Sequence, residues 1–301
     1  MNGPMKYVIT NETKAVNGET LYRIQSLADF RVVDGRQVNK GDYGGYVSSL
    51  NCLSQKGKSW IRSNACVIGG RVSSNALVAG KAVVIGGKVM NNSIVKGNAK
   101  LVCSEVYNSA VVQDNAEMNE SYVGGTSVVC GNAVVSDSSQ IFGCSRVQDN
   151  AQVTNRSYIL DGSVCDSSAL IHAHIEGYHV KGSSRVRGIH FYGQGNIVDS
   201  IIDVRGRFHL LLSCEFNKAK ITDASQFFFI TLGHWLMLDV AIYPSIEGGL
   251  LACYGAYGVR SDVVPFEEVD KRVRENKIIP EKLWDSVVTL SREFTKEKFD
   301  A

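Results

Sequence analysis

An aliphatic residue recurs every five or six positions through residues 61–186: Val67, Val72, Val78, Val84, Val89, Val95, Leu101, Val106, Val112, Met118, Val123, Val129 and Val135. The steps run 5, 6, 6 and repeat, so Val67, Val84, Leu101, Met118 and Val135 mark a 17-residue period. This spacing is too sparse for a helix face, which needs apolar residues about every 3.6 positions, and too long for simple strand alternation. It fits a very short strand, a corner, and another short strand. Three such sides close one coil, and stacked coils pair each strand in parallel with the strand below, about 4.8 Å away. One coil cannot bury its aliphatic side alone, so the unit gains stability only by stacking.

The corners agree with this reading. Asn-Ala recurs at Asn64-Ala65, Asn75-Ala76, Asn98-Ala99, Asn115-Ala116, Asn132-Ala133 and Asn150-Ala151. Asn is expected to take the left-handed backbone region of a tight corner, and Ala is small enough to tuck inside it. The five-residue side carries glycine instead, at Gly69-Gly70 and Gly86-Gly87, because glycine accepts positive φ without steric cost. Proline, which would remove a ladder donor, does not occur between Pro4 and Pro244.

Units such as Val95-Lys96-Gly97-Asn98-Ala99-Lys100 resemble the hexapeptide repeat of the left-handed parallel β-helix superfamily. The resemblance implies triangular coils of 17–18 residues wound leftward, a handedness that breaks the usual rule for parallel crossovers. That superfamily includes acyltransferases, carbonic anhydrase-like proteins and noncatalytic members. The expected fold class is mainly β: a left-handed β-helix over 59–224, a small N-terminal β cap over 1–58 and a C-terminal α+β capping module over 225–301. Residues 21–30, 40–47 and 53–61 also resemble the opening of bacterial and phage proteins often called YdcK-like, in which this segment leads into a β-helix. It would cap a first coil whose strand edges otherwise face water.

Composition narrows the partners. The net charge is +2 with both signs mixed along the chain, so a nucleic-acid stripe is not indicated. Residues 1–10 lack an apolar core of signal-peptide length, and the most apolar later stretch, 227–243, is interrupted by Gly233, His234 and Asp239. Eight cysteines show no Cys-x-x-Cys and no Cys/His zinc spacing, which suits small semi-apolar residues in a reducing cytoplasm. The piece Gly41-Asp42-Tyr43-Gly44-Gly45 lacks the strand-to-helix context of a phosphate loop and reads as a bend.

Two groups of residues are candidates for function. Outward positions beside the ladder place Leu77, Ile94, Val111 and Val128 in one row, 17 residues apart, with Met90 and Tyr107 near its edge. Such an exposed aliphatic stripe is a contact surface for a second copy, giving a dimer or trimer, or for a host protein. The equivalent row on the five-residue side, Arg71, Lys88, Glu105 and Tyr122, is polar and reads as a solvated face. The second group is His172, His174, His179 and His190, four of the six histidines within nineteen residues. In a hexapeptide acyltransferase one of these would be the general base, with acyl-CoA as cofactor. His174 and His179 also share a five-residue spacing with the metal site of gamma-class carbonic anhydrases, but no histidine precedes His172 to supply the third ligand, so no metal is expected.

Every step from Val67 to Val186 is five or six residues. No loop is extruded to build a lid or substrate site, and catalytic residues tend to sit on such loops. The smooth walls favour a noncatalytic recognition or assembly protein of a phage or prophage, acting on a host protein or holding a small ligand, over an acyl-CoA-dependent acyltransferase. Toward the C-terminus, residues 227–233, 235–243 and 250–257 read as three longer strands. Asp262 is expected to cap a helix containing Phe266, Val269 and Val273, and Pro280 to open a second with Leu283, Val287, Leu290 and Phe294 on one face. Trp235 and Trp284 are expected in the core of this module.

Overall fold

The computed structural model describes residues 5–211, 215–222, 226, 228–232, 238–248, 250–256, 262–275 and 280–299. Among the described residues the chain is mainly β, with a parallel β-solenoid of about ten turns, a small antiparallel N-terminal region and two α-helices near the C-terminus. It forms two compact units, 1–167 and 168–301.

In the first unit the ladder is as spaced in the sequence. On the first wall Val67, Val84, Leu101, Met118, Val135 and Val153 are successive partners in parallel strands. On the second wall Val72, Val89, Val106, Val123, Ile141 and Ile159 do the same. The third wall carries Ile61, Val78, Val95, Val112, Val129, Val147 and Val164. All of these ladder side chains are buried. Removing each from water contributes about 1.5–3 kcal/mol, which is how strands of two or three residues hold together.

The corners are built differently from the expectation. The left-handed residue is the one before each Asn-Ala pair: Ser63, Ser74, Gly97, Asp114, Gly131 and Asp149, with φ between 61° and 74°. The Asn is freed to stack. Asn98 Nδ2 donates to Asn115 Oδ1 at 2.8 Å, and the amide ladder continues through Asn132 to Asn150. The Ala that follows is buried at every one of these corners, as expected. Elsewhere buried serines take the inner corner and donate to backbone carbonyls, as Ser93 Oγ does to Met90 O at 2.6 Å and Ser121 Oγ to Asn119 O at 2.7 Å. Where the five-residue step lengthens to six, after Val135 and after Val153, two consecutive left-handed residues absorb the insertion: Asp137-Ser138 and Asn155-Arg156.

The N-terminal region is an antiparallel hairpin, β1 (Tyr7–Val16) and β2 (Glu19–Ser26), whose second strand pairs with β5 (Tyr43–Val47). β5 then pairs in parallel with the first solenoid strand through Val47 and Val67. Leu21 and Tyr46 pack on Cys66 and Ile68, covering the outer side of the first wall. A second small hairpin, β3 (Phe30–Arg31) with β4 (Gln37–Val38), lies against the third wall. It is held there by an edge-on contact of Phe30 with Trp60 at 5.5 Å and by an Arg62–Asp34 ion pair at 2.8 Å. Gly41, at φ 96°, turns the chain into β5, but Tyr43, Gly44 and Gly45 are the first residues of that strand, so the expected bend is confined to the residues just before it.

In the second unit the coils become irregular in length. Val186, Ile202 and Ile221 are successive rungs, separated by 16 and then 19 residues. The interior widens to accept aromatic rungs: Tyr178, Phe191 and Phe216 are buried and in contact at 5.1 and 5.6 Å. A four-stranded antiparallel sheet follows, of Phe228–Leu232, Leu238–Pro244, Leu250–Ala256 and Asp262–Pro265. Tyr243 of this sheet lies on Phe216 at 5.2 Å and its hydroxyl donates to Glu215 O. Asp262 therefore belongs to a fourth strand and does not cap the helix, which begins at Phe266 directly after Pro265 as α1 (Phe266–Glu275). In α2 (Glu281–Phe299) the buried face is Trp284, Val287 and Val288, while Leu290 is exposed. Trp284 joins Phe266, Val269 and Val273 in the core and its Nε1 donates to Asp270 at 2.8 Å. Trp235 and the side chains of Leu283 and Phe294 lie outside the described residues.

Candidate functional site

Register places the expected stripe in a single column. On the third wall Trp60, Leu77, Ile94, Val111, Val128 and Arg146 are successive partners. The exposed part of the column is shorter than its sequence suggests. Leu77 is only 1% exposed, in the rung beside Trp60 where the Phe30 hairpin lies. Ile94, Val111 and Val128 are half-buried side by side, and the exposed Arg146 ends the apolar run. The neighbouring outward row holds exposed Lys96, half-buried Gln113 and buried Cys130, whose thiol pKa burial pushes up against the opposing pull of Arg146.

Met90 and Tyr107 stand around the corner from Ile94 and Val111, on the second wall, directly after the ladder residues Val89 and Val106. Two further residues extend this part of the surface. Phe142 lies 6.0 Å from Tyr107 and 5.7 Å from Tyr158, ring centre to ring centre. Gly124, in the rung between, leaves the space that the Tyr107 ring fills. Partial burial raises the Tyr107 pKa, with Glu105 and the neighbouring Tyr158 and Tyr122 adding to the effect. Phe142 and Tyr158 were legible as the outward residues flanking Ile141 and Ile159, but the shift from a 17- to an 18-residue coil at that point breaks the simple count from Tyr107. The row Arg71, Lys88, Glu105 and Tyr122 is stacked and largely exposed, with a Lys88–Glu105 ion pair at 2.6 Å.

The four histidines do not converge on one point. His172 is exposed at a corner with φ 49°. His174 begins the strand His174–Lys181; Gly177, at φ 73°, turns that strand before His179, which is exposed. The protein around His179, then Lys181, lowers its pKa. The five-residue spacing of His174 and His179 thus spans the turn at Gly177. His190 is instead the direct register partner of His174, with ring centres 5.3 Å apart and Tyr192 5.0 Å from His174. That pairing was hidden by the 16-residue coil, one short of the regular period.

Among the described residues, one group of three potential metal-ligating side chains has all its donor atoms within 4.8 Å: Asp149, Cys165 and Asp166. Asp149 Oδ2 accepts from the Asp166 backbone N–H at 3.2 Å, so this carboxylate caps the next corner. No described helix is long and apolar enough to cross a membrane.

Neither the known protein-family models nor the curated proteins give a match to this sequence.

Proposed function

We propose that the protein is a noncatalytic recognition or assembly protein that associates with itself through the apolar corner of its solenoid. The contact surface comprises Ile94, Val111 and Val128 on one wall and Met90, Tyr107 and Phe142 on the next. The observation that carries this reading is the unbroken sequence of rungs from Val67 to Val164, along which no loop departs to enclose a substrate while three adjacent rungs present aliphatic side chains outward. Contiguous apolar patches of this kind mark contact surfaces in soluble proteins. Closed symmetry makes a dimer or a trimer the expected product.

The finer reading follows the repeat units. Val95 to Lys100 supports membership in the hexapeptide-repeat superfamily and with it a left-handed winding; the N-terminal segment supports kinship with YdcK-like bacterial and phage proteins. In that setting the protein is a cytoplasmic phage or prophage accessory protein, and the assembled walls bind a host protein or hold a small ligand between copies.

Cross-linking of the full chain, mixed from copies of normal and heavy isotopic composition, tests the surface. Lys88 and Lys96 flank the apolar corner and are exposed. Inter-copy links at these two lysines are expected. Links confined to lysines of the C-terminal helices, such as Lys271 and Lys282, would overturn the assignment.

A further inference from the structure

His174 and His190 occupy the same outward position in consecutive rungs, and His209 takes that register position in the rung after. Three of the six histidines in the chain therefore fall in one column of the second unit. The first two rings are tilted by 41° with centres 5.3 Å apart. His174 Nε2 and His190 Nδ1 are both shielded from water.

From this geometry we infer a binding site for a divalent transition-metal ion held by the imidazoles of His174 and His190. Each ring nitrogen lies about 1.1 Å from its ring centre, so rings 5.3 Å apart can present nitrogens about 3.3 Å apart; two Zn–N bonds of about 2.0–2.1 Å at a tetrahedral ion require that separation. Neutral imidazoles prefer ions such as zinc, nickel and copper over calcium or magnesium. The parallel register fixes the backbone spacing, so binding needs only side-chain rotation. Tyr192 stands beside His174, and Glu176 is half-buried on the same strand, two residues on. Water completes the coordination. The inference does not depend on the role of the apolar corner. The site shares no residue with the Asp149, Cys165 and Asp166 group.

Zinc and nickel titrations of the chelator-stripped full chain, followed by calorimetry, test the site. Saturable binding is expected in the unaltered protein. His174→Gln and His190→Gln should each weaken it by about tenfold or more, whereas His172→Gln, His179→Gln and Cys165→Ser should leave it unchanged. Far-UV circular dichroism checks that each variant keeps its strands. Absence of saturable binding in the unaltered protein, equal affinity in a folded His190→Gln variant, or loss of binding in Cys165→Ser would each overturn the inference.

Discussion

The Tyr107 ring lies across the backbone of Gly124: a Cβ placed on Gly124 would stand 2.7 Å from Tyr107 Cε2 and 3.1 Å from Phe142 Cδ1. Gly124 is not among the residues with positive φ, so its small size is needed for space and not for backbone freedom. Gly124→Ala is expected to destabilise the protein by about 1–3 kcal/mol, because the ring must give way. In a Tyr107→Ala background the same substitution should cost much less. A double-mutant cycle by chemical denaturation measures the coupling; additive effects would show that the ring does not depend on the glycine.

Lys6 sets a pH dependence at the N-terminal end. Its side chain is buried, and Nζ donates to Ser59 O at 2.8 Å. Burial lowers its pKa from 10.5 to about 8. The unfolded chain therefore binds more protons than the folded one between those values, and stability rises with pH through that window. The gain attributable to Lys6 is roughly 3 kcal/mol, present above pH 10.5 and lost as pH falls through 8. Tyr7 acts in the opposite sense at higher pH, since burial raises its pKa to about 12 and its contribution fades above pH 10. Between pH 8 and 10 the stability of the unaltered protein should climb relative to Lys6→Met, and parallel curves would refute the assignment.

The corners predict a contrast between neighbouring residues. Asn115 links Asn98 and Asn132 in an exposed amide ladder, whereas Ala116 is fully buried behind it. Exposed hydrogen bonds contribute little, so Asn115→Ala should cost about 0.5–1 kcal/mol. Ala116→Val forces two methyl groups into a filled corner and should cost about 1–3 kcal/mol. Thermal unfolding orders the two; a larger loss for the Asn variant would mean that the ladder, and not the packing, holds the corner.

The noncatalytic reading makes its own prediction for acyl-CoA. Equilibrium titration of acetyl-CoA against the full chain should show no saturable binding. Binding that is lost on substitution of His174 or His179 would restore the enzyme reading.

The interior of the solenoid was readable because each rung repeats one constraint: an aliphatic residue must point inward at Val67, Val84 and Leu101, and nothing else can substitute. The corner was less readable. Asn, Ser, Gly and Asp all tolerate positive φ, so composition alone could not say that Asp114 and not Asn115 adopts it. Leu77 reads like Ile94 in the repeat, yet it is buried, in the rung beside Trp60 where the Phe30 hairpin lies, while Ile94 is half-buried. The regular 17-residue period does not align His174 with His190, since the coil there is one residue short. Asp262 has the chemistry of a helix cap, yet a sheet partner across from Tyr254 holds it in a strand.

The claim on which the functional account rests is self-association through the apolar corner, and the mass of the full chain in solution tests it most directly. Sedimentation velocity over a range of concentrations should show a dimer or trimer for the unaltered protein and a folded monomer for Val111→Asp/Val128→Asp. A monomer at every concentration, or the same assembly in both proteins, would contradict it.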